Sequence, residues 1–239
     1  MSSIKVACLG DSITQGTDSY NWVADLQQEL LPDYEFYNFG VNGELAYNNL
    51  KRIDKLVTLQ PNFIVILVGT NDVLATLSEG NTRLYKRNAA LPREPDMAWY
   101  VDNLEQIIVT LLQETTASIA LTSLPVIGED LMDSANKVVS NYNEKIKRLV
   151  QKYALHYLPL NEAITTYLEA NPVAKSVVYR PFGWRLKVNM HFRTRVLKQD
   201  WESYAGLNGL QVTTDTIHLN QVSGKMMVDL VAQFLKSRS

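Results

Sequence analysis

A chain of 239 residues is long enough for one large domain or two small ones. With 46% hydrophobic and 20% charged residues it has the composition of an ordinary folded protein, which excludes disordered, collagen-like and coiled-coil chains. Its 23 Lys and Arg nearly balance 25 Asp and Glu, and the formal charge of -2 gives no global attraction to nucleic acid or to an anionic membrane. The one cysteine, Cys8, lies in an apolar run, so an intramolecular disulfide and a Cys-based metal cluster are both excluded. Met1 to Leu9 lacks the basic start and cleavage site of a secretory leader, so a cytoplasmic location is expected. The longest uncharged apolar run, Phe63 to Val68, falls far short of the roughly 20 residues that span a bilayer, and no transmembrane segment is expected.

In chain order, the first strand is Ile4 to Leu9, short, apolar and closed by Gly10. Three-and-four spacing of Trp22, Val23, Leu26 and Leu30 predicts an amphipathic helix, and a second strand follows from Tyr34 to Phe39. Leu45, Leu50, Ile53, Leu56 and Val57 predict one helix before a third strand, Phe63 to Val68. That strand is apolar at every position, as a strand covered on both faces must be. Residues 78 to 96 are polar and contain Gly80, Pro92 and Pro95, so they read as an inserted loop. Beyond it come a helix through Trp99, Leu104, Ile108 and Leu111, a strand at Ser118 to Thr122, a helix through Val138, Tyr142, Ile146 and Leu149, and a strand at Leu155 to Leu158. Residues 171 to 214 are a long excursion of the kind used for lids or binding loops, and a final helix runs from about Ser223 to Leu235. Strands alternating with helices predict an α/β fold with a parallel sheet covered on both faces, and with no linker or repeat the chain reads as one domain over residues 1–239.

Open parallel sheets bind ligands at the carboxyl ends of their strands. Three polar, glycine-containing turns stand there: Gly10-Asp-Ser-Ile-Thr14, Asn38-Phe-Gly-Val-Asn-Gly43 and Gly69-Thr-Asn-Asp72. The first is not a P-loop, because Gln15-Gly16-Thr17 offers no Gly-Lys-Ser/Thr, and it is not a dinucleotide turn, because Ser12 holds the middle glycine position. Ser12 is left as an exposed nucleophile or as an ordinary helix cap. Asp215 and His218, three apart, share one face of a helical turn, so the carboxylate can orient one imidazole nitrogen while the other serves as base. Read singly, they are a helix-entry aspartate beside an ordinary histidine. Gly43, without a side chain, lets its N–H approach a substrate, and the neutral Asn71 amide can donate to a developing oxyanion; alone, each is a plain turn residue. His156 reads as a core histidine, and His191 has no carboxylate at helical spacing.

These four blocks, Gly10-Asp-Ser-Ile-Thr14, the turn ending at Gly43, Gly69-Thr-Asn-Asp72 and Asp215-Thr-Ile-His218, resemble in order and spacing those of the GDSL, or SGNH, hydrolases across essentially the whole chain. The resemblance implies a three-layer α/β/α, flavodoxin-like sandwich with a central five-stranded parallel sheet. It also implies Ser12 as nucleophile, His218 as base, Asp215 as its orienter, and an oxyanion hole made by the Ser12 N–H, the Gly43 N–H and the Asn71 amide. Gly40 and Gly43 both stand in the second block, and aligning Gly-Val-Asn-Gly with the family's usual Gly-x-Ser-Gly assigns the role to Gly43. The expected activity is hydrolysis of a small-molecule carboxylic ester or thioester through an acyl-enzyme, of the esterase, lipase or lysophospholipase kind, with no metal or organic cofactor. A carbohydrate deacetylase on the same site and a flavodoxin-like nucleotide-binding module are the alternatives. The basic and aromatic run from Lys175 to Lys198 suits either an apolar, anion-attracting lid with peripheral lipid contact or a solvated face of snorkelling side chains.

Overall fold

The computed structural model describes residues 3–173, 176–179 and 205–237. Five strands, β1 (Ile4–Gly10), β2 (Tyr34–Gly40), β3 (Phe63–Leu67), β4 (Ser118–Thr122) and β5 (His156–Leu158), form an all-parallel sheet in the order β2-β1-β3-β4-β5. This order makes β1 and β3 the neighbours from which the connections diverge, the point at which such sheets open a crevice. The central strand β3 is buried along its whole length, whereas the edge strand β2 buries only Tyr34 and leaves its other positions half-buried or exposed. The apolar run and the mixed run of the sequence thus report position in the sheet.

Helices cover both faces. On one side α2 (Trp22–Leu30), α9 (Leu160–Ala170) and α10 (Gln221–Lys236) pack together. On the other lie α3 (Ala46–Lys51), α4 (Ile53–Leu59), α5 (Thr70–Thr76), α7 (Met97–Glu114) and α8 (Ser134–Tyr153). The three-layer α/β/α arrangement follows from the helical stripes, such as the one that buries Tyr100, Leu104, Ile107, Ile108 and Leu111 of α7. His156, expected as a core histidine, opens β5 only half-buried, with its ring 4.8 Å from that of Phe234.

Two expectations are corrected. Residues 78 to 96 are not all loop, because Glu79–Asn88 forms α6. Its helicity comes from its ends: the Ser78 side chain accepts from the Asn81 N–H, Glu79 lies in the first turn, and Lys86 and Arg87 lie in the last, matching the helix dipole without an apolar stripe. The helix expected through 45–57 is two helices, α3 and α4, meeting at Arg52 (φ -122°, ψ 15°). The break lets the Arg52 guanidinium turn inward to donate to the carbonyls of Phe39 (2.8 Å) and Gly10 (3.2 Å), at the carboxyl ends of β2 and β1.

Candidate active site

The turn that follows β1 is shaped by Asp11 at its start and Gly16 at its end. Asp11 is the N-cap of α1 (Ser12–Gln15), its carboxylate accepting from the Ile13 N–H at 3.0 Å, and Gly16 closes the turn in the left-handed region. Trp22 Nε1 donates to the Ile13 carbonyl at 3.2 Å, tying the turn to buried α2 packing. Ser12 is therefore the first helical residue, with an N–H that has no partner inside the helix. Its hydroxyl points at the far end of the chain.

There His218 Nε2 lies 2.8 Å from Ser12 Oγ, and His218 Nδ1 lies 2.8 Å from Asp215 Oδ2. Because the carboxylate can only accept, Nδ1 carries the proton and Nε2 presents its lone pair to the serine hydroxyl. The segment holding the pair is not the expected helical turn. Thr213 and Leu219 form an antiparallel bridge, Thr216 takes a positive φ of 78°, and Asp215 Oδ1 accepts from the N–H groups of Ile217 (3.1 Å) and His218 (2.9 Å). A tight Asx-type turn, rather than helical spacing, brings the two side chains together.

What anchors this irregular segment is Glu129, a buried residue that sequence reasoning passed over. Its carboxylate accepts from the N–H groups of Gln211 (2.8 Å), Val212 (2.9 Å) and Thr213 (2.9 Å) and from the Thr213 hydroxyl (2.8 Å). Beside it, the Gly128 N–H donates to the carbonyl of Thr216 at 2.7 Å. The contacts span more than eighty residues of sequence, so no local pattern signals them.

Charges in the site are set by burial and partners. Burial works to raise the Asp215 carboxyl, but the charge and hydrogen bonds of His218 and the Ile217 N–H outweigh it, and the carboxyl lies below its ordinary range. For His218 burial works downward, and the nearby Asp215 charge and hydrogen bond, with Asp11 and Asp18, carry the imidazole above its ordinary value. Burial pushes Asp11 up to about 6, against the Ile13 N–H and His218. It pushes Asp72 up to about 8, with the Asp11 charge adding to it, so Asp72 keeps its proton at neutral pH.

The remaining predicted residues converge on the same edge. Asn71, in the first turn of α5, is buried; its Nδ2 donates to the Glu44 carbonyl at 3.0 Å, next to Gly43. The Ala46 N–H donates to Asp72 Oδ2 (3.0 Å), the Asn42 N–H to Gln15 Oε1 (2.7 Å), and Arg52 Nε pairs with Glu44 at 2.6 Å, so the Gly43 loop is fastened to each neighbouring turn. The two glycines of the second block differ sharply. A Cβ on Gly40 would lie 2.2 Å from the Gln15 backbone nitrogen, whereas one on Gly43, which has φ +76°, would meet nothing within 4 Å. Gly40 is required for packing; Gly43 faces open space. Gly43, with Val41, Asn42 and Glu44, forms one wall of a cleft of about 570 Å³, and Leu84, Tyr85 and Asn88 of α6 form the other. Among the described residues no cluster of three or more His, Cys, Asp or Glu is arranged to hold a metal, and no helix is long and apolar enough to cross a membrane. His191 and, apart from 176–179, the basic run 175–198 lie outside the described residues.

Residues 8–221 match the GDSL-like Lipase/Acylhydrolase family. The chain belongs to this family. Over 82 residues it is 35% identical to an acetylxylan esterase of Xylanibacter ruminicola, a match covering 29% of this chain and 17% of that relative's length. Among solved structures, the acetyl xylan esterase AlAXEase superposes with a TM-score of 0.69 at 18% identity, covering 96% of this chain and 98% of its own. Axe2, an acetylxylan esterase from Geobacillus stearothermophilus, gives 0.66 at 14% identity, covering 97% and 94%. At such identities the two structures speak for a shared fold.

Proposed function

We propose that this chain is a serine carboxylic ester hydrolase with Ser12 as nucleophile. The reading is carried by the pair of 2.8 Å contacts linking Ser12 Oγ, His218 and Asp215 across 206 residues of sequence. Ser12 Oγ attacks the ester carbonyl carbon while its proton passes to His218 Nε2, and Asp215 holds the imidazole in the required tautomer and stabilises the imidazolium. The negative charge on the former carbonyl oxygen is met by the N–H groups of Ser12 and Gly43 and by the Asn71 amide. Collapse of this adduct expels the alcohol, which takes the proton from His218. Water, deprotonated by the same nitrogen, then attacks the acyl-Ser12 ester and releases the acid. Every step uses side chains and backbone groups of the chain itself.

For the substrate, acetyl esters of carbohydrates are favoured, a reading supported by the acetylxylan esterases that share this fold and one stretch of this sequence. Hydrolysis of p-nitrophenyl acetate, butyrate and octanoate, alongside acetate release from acetylated xylan, tests both levels. Turnover highest on the acetyl ester and lost in Ser12→Ala is the expected result. A folded protein that hydrolyses none of these esters, or a Ser12→Ala variant with undiminished turnover, would overturn the proposal. A preference for octanoate would replace the carbohydrate reading with a lipid one.

A further inference from the structure

The function proposed above uses Asn71 as an oxyanion donor, and the structure shows a second side chain committed to that amide. Tyr85, on the polar helix α6, places its hydroxyl 2.9 Å from Asn71 Oδ1. The direction of this bond is fixed by the other end of the amide. The Glu44 carbonyl can only accept, so the group facing it at 3.0 Å is the Asn71 NH2; the oxygen then faces Tyr85, whose hydroxyl must donate. Burial, aided by the nearby charges of Tyr179, Asp11 and Asp72, drives the phenol above its ordinary value, so it remains protonated and donating throughout the neutral and mildly alkaline range.

We propose that Tyr85 is a positioning residue for the oxyanion hole, acting through Asn71. Three consequences follow from its placement. The amide cannot rotate about its Cβ–Cγ bond without setting a carbonyl against the Glu44 carbonyl and giving up the hydroxyl's donation into Oδ1. One Nδ2 hydrogen is taken by Glu44, leaving the second for the substrate oxygen. Donation into Oδ1 also draws electron density from the nitrogen, making that second hydrogen a stronger donor as negative charge develops. Tyr85 further lines the cleft beside Gly43, so the residue that forms a wall of the cleft is the one that holds the amide. In this role α6, a helix with little apolar surface, brings a hydroxyl to the back of Asn71 from fourteen residues away.

The test is a double-mutant cycle on the full chain with p-nitrophenyl acetate as probe, using Tyr85→Phe, Asn71→Ala and the combined variant. Tyr85→Phe keeps the ring and removes only the hydroxyl, and thermal melts establish that each variant is folded. The inference predicts a fall of roughly tenfold in kcat for Tyr85→Phe with KM changed less than about twofold, below the 10²–10³-fold cost of losing an oxyanion donor outright. It predicts no further loss when Tyr85→Phe is added to Asn71→Ala, because the residue through which Tyr85 acts is already gone. Unchanged kcat in Tyr85→Phe, a loss expressed only in KM, or an equal loss in the Asn71→Ala background would overturn it. If Asn71→Ala itself leaves kcat intact, the oxyanion role underlying both readings fails. A damaging Asn71→Ala beside a silent Tyr85→Phe rejects the Tyr85 role alone.

Discussion

The two halves of the site are held in place by different means. Ser12 and Asn71 stand at the first turns of α1 and α5, directly after the central strands β1 and β3, so sheet pairing and helix geometry fix them. Asp215 and His218 stand in an irregular segment outside any strand or long helix, held by one bridge and by the buried carboxylate of Glu129. Ser12 and Asn71 thus inherit their precision from the fold, while His218 depends on hydrogen bonds that a single substitution can remove.

The largest expected effect is at the hydroxyl itself. Ser12→Ala lowers kcat by roughly four orders of magnitude or more with an unchanged melting temperature, since a small, half-exposed side chain in a well-anchored turn is lost. Glu129→Ala does the reverse in kind, damaging stability and activity together. It leaves the N–H groups of Gln211, Val212 and Thr213 without their acceptor, at about 1–3 kcal/mol for each buried donor. Calorimetry and p-nitrophenyl acetate turnover on the same preparation distinguish the two patterns. An active Glu129→Ala protein with unaltered melting would break the contrast.

The glycines sharpen it further. Gly40→Ala forces a Cβ to 2.2 Å from the Gln15 backbone and must displace the Ser12 turn, so soluble expression or melting temperature should collapse. Gly43→Ala has room and keeps its N–H, so it carries only the strain of a left-handed backbone, about 1–2 kcal/mol, with a modest loss of turnover. Similar damage from the two would contradict the distinction between a packing glycine and an open one.

The pH dependence probes the base half alone. The proposed mechanism requires neutral His218, whose pKa is held above its ordinary value of 6.5 by Asp215, so kcat/KM should rise with pH through an apparent value above 6.5. In Asp215→Asn that inflection should move down while activity falls. The smallest effect is expected at Asp72. Its folded pKa of about 8 exceeds its ordinary 3.8, so the folded state binds more protons and loses stability as pH rises from about 4 through 8. Asp72→Asn, which keeps an acceptor for the Ala46 N–H, should melt higher than the wild type at pH 8.5 and lose that advantage by pH 4.

Most of the sheet could be read from sequence, because each strand is a short, mostly apolar segment bounded by turn residues, and the bounds agree to within a residue at either end. The placement of the candidate residues was legible for the same reason: Ser12, Gly43 and Asn71 fall just past the ends of strands. Helix α6 was not, since its stability lies in capping and end charges rather than in an apolar stripe, and Gly80 within it and Pro92 and Pro95 just beyond it resemble the residues of a loop. Arg52, Glu129 and Tyr85 act through partners distant in sequence or on elements whose form was not evident, and a lone Arg, Glu or Tyr carries no spacing that marks such a role. Asp215 and His218 were paired correctly from a helical premise that the structure replaces with an Asx turn, because a carboxylate can reach a residue three positions ahead in either geometry.

The central claim is that Ser12 is activated by His218, and labelling by a fluorophosphonate measures this most directly. Mass-mapped peptides of the native protein should carry the adduct on Ser12, formed orders of magnitude more slowly in folded His218→Ala. Absence of an adduct in the folded wild type, or an adduct on Ser12 formed as fast without His218, would contradict the account.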